Sequence, residues 1–420
     1  MERMEPDAQR IQREILKFSE FVSLGEAGHT RLSFSREDLE ARGYLTQLMK
    51  EAKLAVRIDS AGNILGRREG KKQGPVILTG SHLDTVRGGG RFDGVSGVVA
   101  AMEAVRRFGE KGLETVHPIE VVVFLAEEPS PFGISTIGSR AMAGKLSEET
   151  LSSLKDETGR TLEMAIRQMG GDPARLGESR RSSKDTLVCL ELHIEQGPTL
   201  FSEQVSIGVV SGIVGISRGN IKVIGRNDHA GTTPMKVRKD ALVAGSELVL
   251  AFEKVCTGYD GAVGTIGKVE VSPNSLNVVP GQMSLGLEAR SPSEGVLTEI
   301  ATTYRNEVGR ISERRGVEVH FEMGISSRPV FFRPEVTQRI KRVCEHLGIP
   351  CLELPSGAGH DASHLAEVVP TGMIFVPSKD GRSHCPEEWT EFEHLRLGTE
   401  VLANTILEFD REGIHESARF

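Results

Sequence analysis

Two adjacent glutamates, Glu127 and Glu128, directly follow the apolar run "IEVVVFLA". Neighbouring carboxylates repel each other, and a charge at the end of a buried strand is costly unless a counter-charge or a metal ion offsets it. The pair therefore predicts a group of positive charge nearby, and the first candidate is a bound metal ion.

Other residues of the kind that bind metal ions lie in short, sharply bounded segments of the chain. These segments are "GSHLDTV" with His82 and Asp84, "GGGRFDGVSG" with Asp93, "ELHIEQGP" with His193 and "GRSHCPEEW" with His384. Carboxylates and imidazoles without thiolates suit Zn²⁺, Mn²⁺ or Co²⁺. Because these ligands are more than one tetrahedral ion needs, we predict two divalent ions about 3.5–4 Å apart.

Each of these residues also has a structural interpretation. Asp84 could be a turn residue, or it could hold the His82 imidazole by a hydrogen bond from outside the ligand set. An exposed strand end would explain the glutamate pair alone, but several such segments together favour a metal centre. The segment "GGGRFDG" lacks the G-x-G-x-x-G spacing of a phosphate loop. We therefore predict that Asp93 bridges the ions, that Glu128 binds one of them, and that Glu127 stays unligated and faces water.

The segments around these residues alternate apolar strands with amphipathic helices. We predict strands in "PVILTGSH", "IEVVVFLAEE" and "DTLVCLEL", and helices over residues 38–53 and in "GVVAAMEAVRRFGEKG". This alternation indicates an α/β layer with a mainly parallel sheet. In such sheets ligands bind beyond the carboxyl ends of the strands, which is where the candidate residues lie.

The pattern changes between about residues 213 and 331, where strand, helix, strand, strand, helix and strand follow one another. This βαββαβ order is typical of a ferredoxin-like unit. After residue 332 the α/β pattern resumes with a helix around "VTQRIKRVCEHLG" and a strand in "GMIFVPS". A chain of 420 residues is also too long for one ordinary core. We predict a catalytic domain of residues 1–212 and 332–420, interrupted by an inserted domain of residues 213–331.

The composition disfavours a protein that binds nucleic acid or spans a membrane. The net charge is −8 and we find no basic stripe. No apolar run approaches the roughly 18 residues that a membrane span needs, and "MERMEPDAQRIQREILKF" lacks the apolar centre of a signal peptide. The five cysteines are scattered without C-x-x-C spacing, so we expect neither disulfides nor a zinc–thiolate site. We expect a cytoplasmic protein.

The motifs as a set resemble the hydantoinase/carbamoylase branch of the M20 metallopeptidase superfamily. They are "GSHLDTV", "FDGVSGV", the glutamate pair, "ELHIEQGP", "HAGTTPM", "NVVPG", "PSGAGHDA" and "SHCPEEW", in the order found in that branch. The resemblance covers about residues 20–410. The branch holds N-carbamoyl-L-amino acid hydrolases, allantoate amidohydrolases and yeast-type β-ureidopropionases. The resemblance implies that the inserted domain is a lid and dimerisation domain.

The resemblance also implies roles for individual residues. It implies that His82, Asp93 and His193 bind one ion, that Asp93, Glu128 and His384 bind the other, and that Glu127 is the catalytic base. Peptidases of the superfamily more often have an acidic ligand at the position of His193. The histidine found there favours the amidohydrolase branch.

Further residues resemble the family's substrate-binding groups. His229 is similar to the histidine that enters the partner subunit's site and stabilises the oxyanion, so the resemblance implies a homodimer. Asn277 and Arg290 resemble the clamp for the substrate carboxylate. A guanidinium suits a carboxylate, although Arg290 taken alone could be an ordinary surface charge. Gln196 and the backbone around Gly359 are expected to complete the pocket.

One segment departs from the family pattern. Many relatives have Gly-Ser-Arg-Phe or Gly-Ala-Arg-Phe after the glutamate pair, whereas this chain has Pro129, Ser130, Pro131 and Phe132. The two prolines stiffen the loop and a cation near the metals is lost. The ligands are unaffected, so the departure bears on the choice of substrate.

We therefore expect a metal-dependent amidohydrolase that cleaves the ureido C–N bond of N-carbamoyl-L-amino acids or a similar small ureido acid. Glu127 would take a proton from water and return it to the departing nitrogen, and the products would be ammonia and carbon dioxide. An allantoate amidohydrolase is the nearest alternative. An aminoacylase or dipeptidase is disfavoured by His193. A non-catalytic binding protein is disfavoured because every predicted ligand and Glu127 are present.

Overall fold

The computed structural model describes residues 3–25 and 27–414. The chain divides into two compact units, which are Met1–Ser211 with Phe331–Phe420 (unit 1) and Gly212–Val330 (unit 2). The last six residues of the predicted catalytic segment 332–420 lie outside the described residues. That unit 1 is a catalytic domain and unit 2 a lid stays a prediction.

The regular elements are numbered in chain order. The strands are β1 Ala55–Ile58, β2 Ile64–Arg68, β3 Val76–His82, β4 Ile119–Phe124, β5 Thr186–Ile194, β6 Ile207–Ile213, β7 Gly215–Ile224, β8 Asp228–His229, β9 Val263–Ser272, β10 Val278–Val279, β11 Gln282–Ser291, β12 Glu318–Ser327, β13 Val330–Phe331, β14 Cys351–Ser356 and β15 Thr371–Val376. The α-helices are α1 Ala8–Phe18, α2 Arg36–Glu51, α3 Val95–Glu110, α4 Ile137–Met142, α5 Glu148–Ser153, α6 Leu162–Gln168, α7 Thr199–Glu203, α8 Ala241–Thr257, α9 Glu294–Arg315, α10 Pro334–Leu347, α11 Ala362–Leu365 and α12 Phe392–Glu412. Within residues 3–25 and 27–414, no helix has both the length and the apolar character that crossing a bilayer requires.

The larger sheet has the strand order β1-β2-β4-β3-β5-β15-β6-β13, with β14 beside β6. Its central strands β4, β3, β5 and β15 are parallel to one another, and β2 and β6 flank them in the antiparallel direction. The predicted α/β class with a mainly parallel central sheet is confirmed. Every residue of β3, β4 and β15 is buried, which is the expected result when helices cover both faces of a sheet.

Alternate residues of the central strands face two different layers of helices. On β3, Ile77 belongs to the core formed with α3 and α12, whereas Leu78 belongs to the smaller core formed with α4 and α11. Helix α3 begins immediately after Asp93 and Gly94, and its first eleven residues are all buried. The loop that carries Asp93 is therefore fixed to the N-terminus of a deeply packed helix.

Unit 2 contains a four-stranded antiparallel sheet in the order β12-β7-β11-β9. Helices α8 and α9 cover one face, with Leu248, Phe252 and Tyr304 packed against strand residues such as Leu285. The predicted βαββαβ order is confirmed. The short strands β8 and β10 form a separate two-stranded ribbon.

Candidate active site

The predicted ligands come from the carboxyl ends of neighbouring parallel strands. His82 is the last residue of β3 and pairs in register with Phe124 at the end of β4. His193 pairs with Phe375 of β15. The sequence prediction put His193 after its strand, but β5 continues to Ile194. Because parallel strands end at the same edge of the sheet, the strand ends and the loops that follow them bring the predicted ligands together.

Asp93 lies between the predicted histidine ligands. Its Oδ1 is 3.1 Å from Nε2 of His193 and 3.6 Å from Nε2 of His82. Its Oδ2 is 3.0 Å from Nε2 of His384. His384 Nε2 is in turn 3.4 Å from Oε1 of Glu128. The two oxygens of one carboxylate thus face two different sets of donors, as a carboxylate shared between two cations would.

These donors form two compact groups. The ligand atoms of His82, Asp93 and His193 all lie within 4.8 Å of one another, and so do those of Asp93, Glu128 and His384. The mixture of imidazole and carboxylate donors fits Zn²⁺, Mn²⁺ or Co²⁺. The donor chemistry and spacing therefore fit divalent cations.

Two of the histidines are held in the tautomer that a metal ligand needs. Nδ1 of His82 is 2.9 Å from the carbonyl oxygen of Asp84, and Nδ1 of His193 is 2.9 Å from the carbonyl oxygen of Ile194. A carbonyl oxygen can only accept, so each Nδ1 carries the hydrogen. Both Nε2 atoms then present a lone pair toward Asp93 when the rings are neutral.

Asp84 contacts both the His82 imidazole and the glutamate pair. The sequence allows a turn residue or a residue that holds the His82 imidazole, and it is the carbonyl of Asp84 that accepts the hydrogen bond from His82 Nδ1. The carboxylate of Asp84 lies with its Oδ1 3.6 Å from His82 Nδ1. Its two oxygens instead accept the backbone N–H groups of Glu127 at 3.2 Å and Glu128 at 3.1 Å. The residue therefore links the loop of His82 to the backbone of the glutamate pair.

The electrostatics of the site favour a cation. Burial raises the pKa of Glu127 well above its usual range, and the charges of Glu128 and Asp361 add to the shift. Burial and the charge of Asp93 raise the pKa of Glu128 to about 7. A hydrogen bond to Asp93 raises the pKa of His384 to about 9. In the metal-free protein, protons partly offset the excess negative charge, and a bound cation would replace them.

Gln196 and Gly359, which were expected to line the pocket, lie in unit 1. The Gln196 amide nitrogen is 2.9 Å from Asp93 Oδ2 and 3.1 Å from His384 Nε2. Its Oε1 is buried without a hydrogen-bond partner in the described part of the chain. Gly359 is exposed and precedes the buried His360, whose ring centroid lies 4.5 Å from that of His193.

The other predicted substrate-binding residues belong to unit 2. His229 on β8 pairs in register with Val278, the neighbour of Asn277, and the Ala230 N–H donates to the Asn277 carbonyl at 3.0 Å. The ribbon therefore brings His229 and Asn277 together. Arg290 is the penultimate residue of β11 and donates to Glu288 at 2.7 Å.

Within unit 2, Arg290 lies at the opposite end of the sheet from the ribbon. Gln282, where β11 begins, pairs with Ile224, and Arg290 pairs with Ile216. The ribbon joins the sheet at the first of these ends, because the Gly225 N–H donates to the Gly281 carbonyl at 2.8 Å. Eight residues of extended strand span about 25 Å. Asn277 and Arg290, the predicted carboxylate clamp, therefore lie at opposite ends of the sheet within the same unit 2.

Residues 78–408 match peptidase family M20/M25/M40. The chain belongs to this family. It is 42% identical over 406 residues to an N-carbamoyl-L-amino-acid amidohydrolase of Paenarthrobacter aurescens, covering 96% of this chain and 98% of that protein. It is 34% identical over 397 residues to the allantoate amidohydrolase of Escherichia coli strain K12, covering 94% and 96%.

A solved structure agrees with these matches. A hydantoinase/carbamoylase family amidase from Burkholderia multivorans superimposes with a TM-score of 0.92 at 34% identity, covering 98% of this chain and all of that one. The predicted resemblance to the hydantoinase/carbamoylase branch of the M20 superfamily is confirmed.

Several buried polar residues of this M20 site were not predicted from sequence. His360 and Asp361 are not among the predicted ligands, yet Glu191, His193 and His360 form a third group of donor atoms within 4.8 Å of one another. Asp361 is fully buried and accepts a hydrogen bond from Ser139. Glu191 precedes His193 by two positions, so the period-2 alternation of a strand could have indicated that both side chains share a face.

The loop with the unusual prolines is compact in this M20 chain. Ser130 closes it through its N–H, 3.2 Å from the Ile134 carbonyl. Phe132 is 3% exposed and stacks edge-on against Phe34 with ring centroids 5.4 Å apart. Pro129 and Pro131 are exposed. The loop is therefore anchored by Phe132, while the prolines lie at its surface.

Gly94 gives a first test of this geometry. A Cβ at this position would lie 2.4 Å from Cε1 of His82, and its φ of +65° disfavours any side chain. We expect Gly94→Ala to displace the imidazole, to lower metal affinity at least about tenfold, and to cost about 1–3 kcal/mol of unfolding free energy. A chelator competition titration and urea unfolding would measure both effects.

Gly43→Ala on α2 is the matched control, because a Cβ there meets nothing within 4 Å. Its metal affinity should equal that of the unmodified protein. Equal affinity in Gly94→Ala would contradict the close approach of this backbone to His82.

Proposed function

We propose that this chain hydrolyses the ureido C–N bond of N-carbamoyl-L-amino acids with the help of two divalent metal ions. The observation that carries the proposal is the position of Asp93, whose two oxygens face two separate groups of imidazole and carboxylate donors. The match to the Paenarthrobacter amidohydrolase over nearly the full length of both chains supports the choice of substrate.

In this proposal His82, Asp93 and His193 would hold one ion, and Asp93, Glu128 and His384 would hold the other. The bound ions, which are Zn²⁺, Mn²⁺ or Co²⁺, would supply the Lewis acidity that makes water nucleophilic near neutral pH. The chain's own contribution is to hold these donors in place by the backbone carbonyls and the Asp84 carboxylate described above.

Glu127 is the general base in this mechanism. It belongs to neither group of donors, yet its Oε2 is 3.8 Å from Nε2 of His82, and it is 8% exposed. It takes a proton from the attacking water and later gives a proton to the departing amino nitrogen. The carbamate that is released decays to ammonia and carbon dioxide.

His229 is suited to stabilise the substrate's carbonyl oxygen as negative charge develops there. Its Nδ1 is 3.1 Å from the N–H of Gly231 and 3.2 Å from that of Thr232, so Nδ1 accepts. The hydrogen of the neutral ring is therefore on Nε2, on an exposed side chain. One such donor is typically worth about 3–4 kcal/mol in the transition state.

The substrate carboxylate would be bound by Asn277 and Arg290. Since these residues lie at opposite ends of one unit 2, we propose that each complete site takes Arg290 from one subunit and His229 with Asn277 from the other. The protein would then act as a homodimer. Exposed hydrophobic residues on α8 and on the edge strand β9 support a dimer surface at these elements. These residues are Leu242, Val243, Leu250, Val263 and Val269.

Subunit mixing tests this arrangement. We expect His229→Ala and Arg290→Ala each to lose most of the activity. In a hybrid dimer of the two variants, one site receives both intact residues. Random assembly should therefore restore about a quarter of the normal activity. Co-expression with two different tags and assay of the mixed pool would measure it, and inactive hybrids would contradict the shared site.

We also propose that the protein functions in the cytoplasm. All five cysteines are free thiols, as expected for a reducing compartment.

The function itself is tested by ammonia release. The purified protein, loaded with Mn²⁺ or Zn²⁺, is assayed for ammonia release with a panel of N-carbamoyl-L-amino acids and with allantoate, and for release of free amino acids with N-acetyl amino acids and dipeptides. Turnover of the carbamoyl compounds, lost after chelation and restored by metal, is the expected result. Preference for allantoate would move the chain to the function of its Escherichia relative, and activity on the acetyl compounds or dipeptides alone would overturn the proposal.

A further inference from the structure

Glu388 is a buried carboxylate that none of the proposed catalytic steps uses. It lies four residues after His384 and is 2% exposed. Its Oε1 accepts the backbone N–H groups of Phe92 at 2.8 Å and Asp93 at 3.1 Å. Its Oε2 accepts the hydroxyl of Ser383 at 2.7 Å. One side chain therefore binds two segments that are almost 300 positions apart in sequence.

Both of these segments carry a predicted ligand. Asp93 supplies the carboxylate that both groups of donors share, and His384 directly follows Ser383. The Ser383 hydroxyl also accepts a hydrogen bond of 3.3 Å from the Gln196 amide, whose nitrogen also contacts Asp93 Oδ2. Hydrogen bonds thus join Glu388, Asp93, Gln196 and Ser383 in a closed ring. His384 is the residue after Ser383.

The surroundings of Glu388 leave little room for another arrangement. A Cβ at Gly90 would lie 2.1 Å from its carboxyl group, so the glycine-rich loop passes directly against it. The next residue, Trp389, stacks edge-on against Phe92 with centroids 5.3 Å apart. The carboxylate is therefore enclosed between the Asp93 loop and its own segment.

We propose that Glu388 is a positioning residue that holds Asp93 and His384 in their binding arrangement before the metal arrives. This inference rests on the proposed di-metal function. A site whose donors are already in place loses less conformational entropy on binding, so the bridge should raise metal affinity. Glu388 belongs to none of the three groups of donor atoms found in the described residues, and it acts through the hydrogen bonds it accepts.

The test compares variants that break or keep the bridge. Glu388→Ala removes all three acceptor contacts. Glu388→Gln keeps an amide oxygen for the two backbone N–H groups, and its NH₂ can donate to the Ser383 hydroxyl. Ser383→Ala breaks only the link to the His384 segment. Glu387→Ala is the matched control, since this neighbouring side chain is exposed and contacts Arg382.

The readout is the dissociation constant for Zn²⁺ or Mn²⁺, measured on the metal-free full-length protein by competition with a chromogenic chelator. We expect Glu388→Ala to bind metal roughly 10- to 100-fold more weakly, Ser383→Ala to be weakened in the same direction, and Glu387→Ala to be unchanged. Glu388→Gln should recover most of the affinity. Circular dichroism and urea unfolding of the metal-free variants identify any general loss of fold.

Normal affinity in Glu388→Ala or in Ser383→Ala would overturn the inference. So would equal weakening by Glu388→Gln and Glu388→Ala, because the negative charge rather than the bridge would then matter. If Glu388→Ala does not fold, Ser383→Ala and Glu388→Gln decide the question. If the unmodified protein itself binds no metal, the proposed function fails instead.

Discussion

Glu127→Gln is expected to lower kcat for N-carbamoyl-L-amino acids by about 10²- to 10⁴-fold. The amide has the shape of the carboxyl group but cannot accept a proton from water. The loss corresponds to about 3–5 kcal/mol of transition-state stabilisation. Metal content should stay unchanged, because Glu127 belongs to neither group of donors. Steady-state ammonia release and elemental analysis of the same sample would measure both quantities.

Glu128→Gln is the matched comparison, since the two glutamates are adjacent and similarly buried. This variant should lose affinity for the ion of the Asp93, Glu128 and His384 group, so that metal content falls from two ions toward one. Near-normal kcat in Glu127→Gln would mean that another group removes the proton. Loss of metal in Glu127→Gln would instead make Glu127 a ligand.

Asp93→Asn is expected to weaken the binding of both ions together. Asp93 is the one residue that contributes an oxygen to each of the two proposed groups, and an amide offers only a single neutral oxygen. Affinity for each ion should fall by more than about 100-fold. In the unmodified protein, metal at 100 times Kd should raise the free energy of unfolding by about 2.7 kcal/mol per ion. This stabilisation should fall in Asp93→Asn as the affinity falls. Thermal unfolding with and without Zn²⁺ would measure this loss.

Asp410→Asn provides the control for removing a buried carboxylate. Asp410 is 5% exposed and accepts the N–H groups of Val116 at 2.9 Å and His117 at 2.7 Å, but it belongs to none of the donor groups. The variant should be less stable yet keep its metal-dependent stabilisation. If Asp93→Asn lost only one ion, Asp93 would be a ligand of a single metal.

The proposed substrate-binding residues of unit 2 lie in two separate places. His229 and Asn277 lie on one ribbon, whereas Arg290 lies on the far end of β11 in the same unit. In the proposed homodimer, a substrate that contacts all three would connect two subunits. Dimer formation would then be part of the catalytic site and not only a source of stability.

Much of the fold could be predicted from local patterns. Strand β3 begins with the apolar run "VIL" and β4 is apolar apart from Glu120, while the helix after Asp93 begins with a long, largely apolar buried run. Helix α12 was not predicted, and its sequence explains why. Polar residues such as Glu400 and Asn404 are buried among its apolar ones, so the helix lacks a clean apolar stripe.

The sequence by itself determined the residue types of the site, because a metal centre needs carboxylates and imidazoles and these stand out at strand ends and in glycine-rich loops. Only the tertiary structure decided which oxygen of Asp93 faces which histidine, that the Asp84 carboxylate holds the glutamate backbone, and that Arg290 lies far from Asn277. The physical reason is that hydrogen bonds and strand register join groups tens to hundreds of positions apart. No local pattern of polarity records such a pairing.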